Sequence, residues 1–285
     1  MMKLPLPNYT FDDILSSCEA GIVTDIELRN RLKTERDSFV NIASTYDTLG
    51  INSQLFTIPA LVSNNGELTS VIGTLTKHDL TNLYSYYFTN QKKPAREIYD
   101  QIKNSAKEQC PFCGGIGTPH TLDHYLPKSH FPQFSIHPLN LIPACRDCNS
   151  GNKLEFYPNT ASEQFLHPYL DNSKFHETQW ITATYHPNDP DPGSFTYRVS
   201  RPDDWNADEI NRVSHYFSHF SIAERYIIQS AIVIAGLYPS RVRLQNHGLS
   251  NQSIIQTIVQ PHLEGQYFVN HWKVALYQAL LVWLS

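Results

Sequence analysis

One 40-residue stretch, 110–149, holds eight residues whose types and spacing suit metal and phosphate chemistry. Cys110 and Cys113 form one C-x-x-C pair and Cys145 and Cys148 a second, with 31 residues between the pairs. That spacing fits a tetrahedral zinc site with four thiolate ligands, each pair making a short turn that aims two sulfurs at one ion. Gly114 and Gly115 follow the first pair, where the backbone must curl close to the metal. Four protein ligands close the coordination sphere, so the zinc is expected to be structural, with its binding free energy acting as local folding free energy.

Between and beside the pairs stand Asp123, His124, Asn140 and Asn149. Cleaving a phosphodiester needs an activated water, a divalent cation at the leaving oxygen and a group that positions the phosphate. His124 suits the first task, because an imidazole titrates near neutrality. Asp123 and Asn149 offer the oxygen donors that Mg²⁺ or Mn²⁺ prefers. Asn140 has the amide to brace the loop that carries His124. Asn149 directly follows Cys148, so a zinc ion on the cysteines would also fix the turn that presents Asn149.

At these residues the chain resembles the HNH endonuclease family, the ββα-metal or His-Me finger nucleases, in its zinc-decorated form. The matching residues run from Thr121 through Leu122-Asp123-His124 to Ser129, then from Pro138 through Asn140 to Pro143, then from Ala144 through Cys145-Arg146-Asp147-Cys148-Asn149 to Lys153. The resemblance spans about 45 of 285 residues. It implies that His124 is the general base at the end of the first strand. It implies that Asn140 supports the loop bearing that base, and that Asn149, opening the helix, ligates Mg²⁺ or Mn²⁺ with Asp123. The family often places a lysine three residues after the final Asn; here Asn152 holds that position and Lys153 follows.

Lys128, Arg146 and Lys153 are the candidate phosphate contacts, since they flank the site in a chain without a basic field; ordinary surface charge is the alternative for Lys128 and Arg146. His120, His130 and His137 read as structural or solvated loop residues, and His167-Pro168-Tyr169 as a turn packing back on the cysteine segment. The aromatic run Tyr84-Ser85-Tyr86-Tyr87-Phe88 has the rings to stack bases, but at helical spacing it reads as core. Cys18, alone in a helical pattern, reads as a small buried hydrophobe.

The elements that must position these groups are mainly helical. Thr10 caps a helix beginning at Phe11, with Asp12 and Asp13 in its first turn. Thr24 with Glu27 opens a longer helix through Asn30, Lys33 and Phe39. A turn at Ser63-Asn64-Asn65-Gly66 breaks the pattern, and 77–106 reads as one or two helices with Leu80, Leu83, Tyr84, Tyr87, Ile98 and Ile102 on one face. From 110 to about 157 helical periodicity gives way to Pro, Gly, His and Cys. A strand, a turn and a second strand follow over 179–199, and helices resume from Asn206, with Ser221 and Glu224 as a second capping pattern. The fold class expected is therefore mainly α with a small α+β module, a central zinc-bound ββα-metal HNH fold flanked by helical regions. Its divisions are an N-terminal helical region at 1–106, the zinc-bound nuclease module at 107–160, and a hairpin with a C-terminal helical region at 161–285.

Hydrophobic residues make up 41 % and charged residues 17 %, which is globular rather than disordered. The start lacks an apolar stretch of signal-peptide length, and the apolar 274–284 segment is too short to span a bilayer, so a cytoplasmic protein without a membrane role is expected. The net charge of −5 speaks against a stand-alone nucleic-acid binder. DNA is the expected substrate, with RNA left open, and an oligomer would allow both strands to be cut. HNH proteins of this appearance are similar to effectors of bacterial anti-phage systems of the Septu and retron-linked types, which implies an ATPase partner. The rival readings are a restriction- or homing-type endonuclease acting alone and a zinc-dependent binding module that does not cut.

Overall fold

The computed structural model describes residues 1–63, 65–265 and 267–285; of the turn read at 63–66, Asn64 lies outside the described residues. The protein is mainly helical with small antiparallel sheets, as expected; of the three two-stranded sheets among the described residues, the one at 70–76 was not read from the sequence. The chain divides into two compact units, residues 3–171 and residues 172–285 with Met1 and Met2. The N-terminal helices and the cysteine segment therefore share one unit.

In the first unit, α1 (Phe11–Ala20), α2 (Ile26–Thr34) and α3 (Arg36–Ile51) precede a short hairpin of β1 (Ser70–Ile72) and β2 (Leu75–Thr76). Next come α4 (Lys77–Asn82), which widens into a π-helical turn at Leu83–Phe88, and α5 (Arg96–Asn104). Thr10 caps α1 as expected, its hydroxyl taking the Asp13 amide while the Asp13 carboxylate takes the Thr10 amide. Thr24 does not cap: Asp25 does, accepting from the Leu28 amide, and the helix read as continuous through Phe39 breaks at Glu35 into α2 and α3. Aspartate is as good an N-cap as threonine, and the choice between neighbours is made by where the chain enters the helix.

The apolar faces of these helices close one core. Phe11, Ile14, Leu32, Phe39, Leu80 and Phe88 pack there with Leu122, Ile136 and Leu141 from the cysteine segment. Cys18 is fully buried in that core, as read, and burial pushes its thiol pKa up. The segment itself contains β3 (Thr121–His124) and β4 (Leu141–Ala144), antiparallel, with Asp123 opposite Ile142 and His124 opposite Leu141. A π-helical segment, Asp147–Lys153, follows β4. Two strands alone are marginal in water, and the helices supply what is lacking. Leu122, whose register partner Pro143 has no N–H, gives its amide to Tyr99 Oη at 3.3 Å and takes the Tyr84 hydroxyl on its carbonyl at 2.8 Å.

The second unit holds the short α6 (Lys174–Glu177) and a hairpin of β5 (Ile181–Asn188) and β6 (Asp191–Val199), registered from Ile181 against Val199. Then come α7 (Ala207–His219), α8 (Ile222–Asn246), the short α9 (Asn251–Ile254) and α10 (Gln260–Leu263), and α11 (Trp272–Leu284). Asn206 and Glu209 cap α7 reciprocally. Ser221 forms no side-chain cap, contrary to its pattern: it is left-handed at φ 49°, turning the chain between α7 and α8, and that backbone does not aim its hydroxyl at the helix. The apolar α11 buries Trp272, Ala275, Leu276, Leu280 and Leu284 as core. No single helix among the described residues is long and apolar enough to cross a membrane.

Candidate functional site

All four paired cysteines are buried, and their sulfurs lie within 4.8 Å of one another. Cys113 Sγ and Cys145 Sγ are 4.0 Å apart. A zinc ion with Zn–S bonds of about 2.3 Å sets ligand sulfurs roughly 3.8 Å apart at tetrahedral angles, so the cluster fits zinc. The backbone is shaped to the sulfurs. The Gly117 amide donates to Cys113 Sγ at 3.2 Å, and the Gly117 carbonyl accepts from the Cys110 amide. A Cβ at Gly117 would sit 2.5 Å from Cys145 Sγ, so only glycine fits. Four thiolates leave no coordination position for substrate.

Beside this cluster, a cavity of about 250 Å³ is lined by Asp123 and His124 from β3, by Pro127, Lys128 and Ser129, by Asn149, Leu154 and Glu155, and by Tyr84 with Thr121 and Leu122. Asp123, His124 and Asn149, picked out on sequence, thus meet at one cavity. Asn149 is placed by the first turn after the cysteines, its amide N–H bonded to the Cys145 carbonyl at 3.0 Å.

His124 is buried, with Nε2 2.8 Å from the Ser135 carbonyl oxygen. A carbonyl only accepts, so Nε2 carries the proton and Nδ1 keeps the lone pair. The Tyr84 ring meets the imidazole edge-on at 4.3 Å. Burial lowers the His124 pKa to about 3, with Lys128 and Lys153 adding to the effect and the Ser135 carbonyl opposing it. Asp123 is equally enclosed. Burial raises its pKa, while the Lys153 ammonium and the His124 backbone pull it down. Its Oδ2 is buried without a hydrogen bond, 3.5 Å from Lys153 Nζ. A buried carboxylate oxygen that is ion-paired but not hydrogen-bonded, in a cavity that Asn149 also lines, has the donor chemistry a hard divalent cation such as Mg²⁺ takes.

Asn140 does not line the cavity. It is fully buried beneath it, with Oδ1 accepting from the Leu126 amide at 2.7 Å and Nδ2 donating to the Leu126 and Phe134 carbonyls. It ties the 125–134 loop to the start of β4.

The three lysine and arginine candidates separate. Lys128 lines the cavity, half-buried. Arg146 is exposed and outside the lining. Lys153 is 1 % exposed, and its ammonium donates to the His124 carbonyl at 2.6 Å. That corrects its reading as a phosphate contact: an enclosed ammonium committed to a carbonyl and a carboxylate is not presented to an incoming phosphate.

His137 is structural, its Nδ1 accepting from the Leu139 amide and its Nε2 facing the Ala43 carbonyl and Asp47. His120 is exposed, and His130 is half-buried near Glu155. His167 is buried against Tyr46 and Tyr125, in the turn that packs back on the segment. Sequence reasoning missed Glu155, which lines the cavity and accepts from Ser129 Oγ. It weighed Tyr84 as core or as a base-stacking ring, and not as a wall of this cavity. No spacing marks either one, because each reaches the cavity only through the fold.

No family model matches the chain, and no solved structure matches it. Among curated proteins, the chain is similar to protein ea31 of Escherichia phage lambda, 33 % identical over 290 residues that cover 98 % of this chain and 97 % of that protein. The aligned span takes in the cysteine cluster, the cavity beside it and the helices that hold both, and over that span the chain belongs to the same family as phage lambda protein ea31.

Proposed function

We propose that the protein is a metal-dependent endonuclease of HNH type that hydrolyses phosphodiester bonds in DNA. The observation that carries this reading is the state of His124. Its Nε2–H is committed to the Ser135 carbonyl, which leaves Nδ1 as the lone-pair nitrogen of a ring that lines the cavity shared with Asp123 and Asn149, and burial keeps that ring neutral rather than titrating near neutrality as its residue type alone suggested. The β3–β4 hairpin followed by a helical segment, with His124 ending the first strand and Asn149 in the helix, supports the HNH comparison.

In this mechanism His124 Nδ1 takes a proton from the attacking water. Lys128 pairs with the phosphate at the cavity wall. Asp123 and Asn149 would hold Mg²⁺ or Mn²⁺, which when bound supplies Lewis-acid stabilisation of the leaving oxygen. Asn140 keeps the loop below His124 in place. Zinc on the four cysteines would hold the turn that presents Asn149. One such site cuts one strand at a time.

The defence setting, with an ATPase partner that loads the nuclease on DNA, is carried by the resemblance and by the absence of a basic field. Plasmid nicking with Mg²⁺ or Mn²⁺ tests the chemistry, with His124→Ala as the inactive control. A wild-type protein that cuts neither DNA nor RNA, alone or with an ATPase encoded beside it, would overturn the proposal.

A further inference from the structure

Three of the four hydrogen bonds made by the Asn140 side chain go to the backbone of the loop it braces; the fourth comes from α3. Tyr46 Oη donates to Asn140 Oδ1 at 3.1 Å across 94 residues of sequence. Tyr46 is itself fully buried, and its oxygen lies 3.3 Å from His167 Nε2. The proton order along this chain is determined. His167 Nδ1 accepts from the Tyr169 amide at 3.2 Å, so a neutral ring carries its proton on Nε2 and donates it to Tyr46 Oη. The Tyr46 proton then goes to Asn140 Oδ1. With a donor arriving from Tyr46 and another from the Leu126 amide, that end of the Asn140 side chain must be oxygen. The nitrogen end therefore faces the carbonyls of Leu126 and Phe134. Phe134 is followed by Ser135, whose carbonyl holds the proton of His124 Nε2.

We propose that Tyr46 is a positioning residue for His124. With the Leu126 amide it holds the orientation of the Asn140 amide, the amide anchors the Phe134 carbonyl, and the next carbonyl along the chain, that of Ser135, selects the tautomer and tilt of the imidazole. Its bearing on catalysis rests on the nuclease reading; the orientation itself does not. A residue outside the cysteine segment thereby governs the base, and α3 becomes part of the site's support.

The test is nitrogen-15 and proton NMR of the His124 Nε2–H, together with nicking kinetics, in Tyr46→Phe. This substitution removes one oxygen and keeps the ring, which packs on Phe134 and His137. Phe39→Leu is the control, because it loosens the same helix without touching the hydrogen bonds. Tyr46→Phe should speed exchange of the Nε2–H about tenfold, the size expected for one neutral hydrogen bond. It should lower the nicking kcat with KM unchanged, while Phe39→Leu leaves the exchange slow. An unchanged Nε2–H signal in Tyr46→Phe, or equal acceleration in both variants, overturns the proposal. Because the exchange rate is read without substrate, it decides the role of Tyr46 even where wild type does not cut.

Discussion

The ammonium of Lys153 lies 2.6 Å from the carbonyl oxygen of His124 and 3.5 Å from the Asp123 carboxylate, enclosed from solvent. One side chain thus ties the helical segment after the cysteines to the end of β3. A buried charge is costly unless its neighbours compensate it, and removing one partner leaves the other exposed to the same cost.

Lys153→Met should therefore destabilise the protein by about 3 kcal/mol, since it strands a buried carboxylate and a carbonyl together. Urea unfolding of wild type and variant measures this. Arg146→Met, at the exposed position that precedes the same 147–153 segment, should change the midpoint little. Equal, small effects at both positions would mean that Lys153 does not anchor the strand.

Gly117→Ala should abolish stoichiometric zinc binding, because the methyl would lie 2.5 Å from Cys145 Sγ and 3.5 Å from Cys113 Sγ. Gly151→Ala, where a Cβ meets nothing within 4 Å, should retain the metal. Metal analysis of the purified proteins reads the difference. Cleavage should disappear with the zinc although Asp123 and His124 are intact, and a folded, zinc-free protein that still nicks DNA would refute that coupling.

The buried imidazole of His124 makes stability depend on pH. Its pKa falls from 6.5 to about 3 on folding, so between those values the unfolded chain binds a proton that the folded chain does not. This contribution is fully present above pH 6.5 and is lost as the pH falls toward 3, at up to about 1.4 kcal/mol per pH unit. Unfolding midpoints at pH 7 and pH 5, compared with His124→Gln, measure the slope. A variant with the same acid sensitivity as wild type would show that His124 is not held neutral.

Local signals in the chain were readable where the physics is local. The Thr10 cap, the strand pair over 179–199 and the two C-x-x-C turns depend on residues a few positions apart, and each appears in the fold. Asp123, His124 and Asn149 were legible because their types and order carry chemistry. Ser221 misled because a capping pattern also fits a residue used to bend the chain. Lys153, Glu155 and Tyr46 could not be placed from spacing, since each acts on residues that only the tertiary fold brings near. Lys153 differs from a solvated lysine solely in being enclosed, and burial of that kind is decided by how the 147–153 segment packs on β3.

Tyr46, Tyr84 and Tyr99 each extend a hydroxyl from a helical segment into the β3–β4 region, to Asn140 and to the two backbone groups of Leu122. The cysteine segment is consequently not a portable cassette. A recombination event that moved 107–160 alone into another gene would carry the metal ligands and the imidazole but leave behind the hydroxyls that complete the strand and the amide beneath it. What packs as one compact unit is residues 3–171. Descent in this family should then conserve α3, α4 and α5 together with the cysteines as one inherited block.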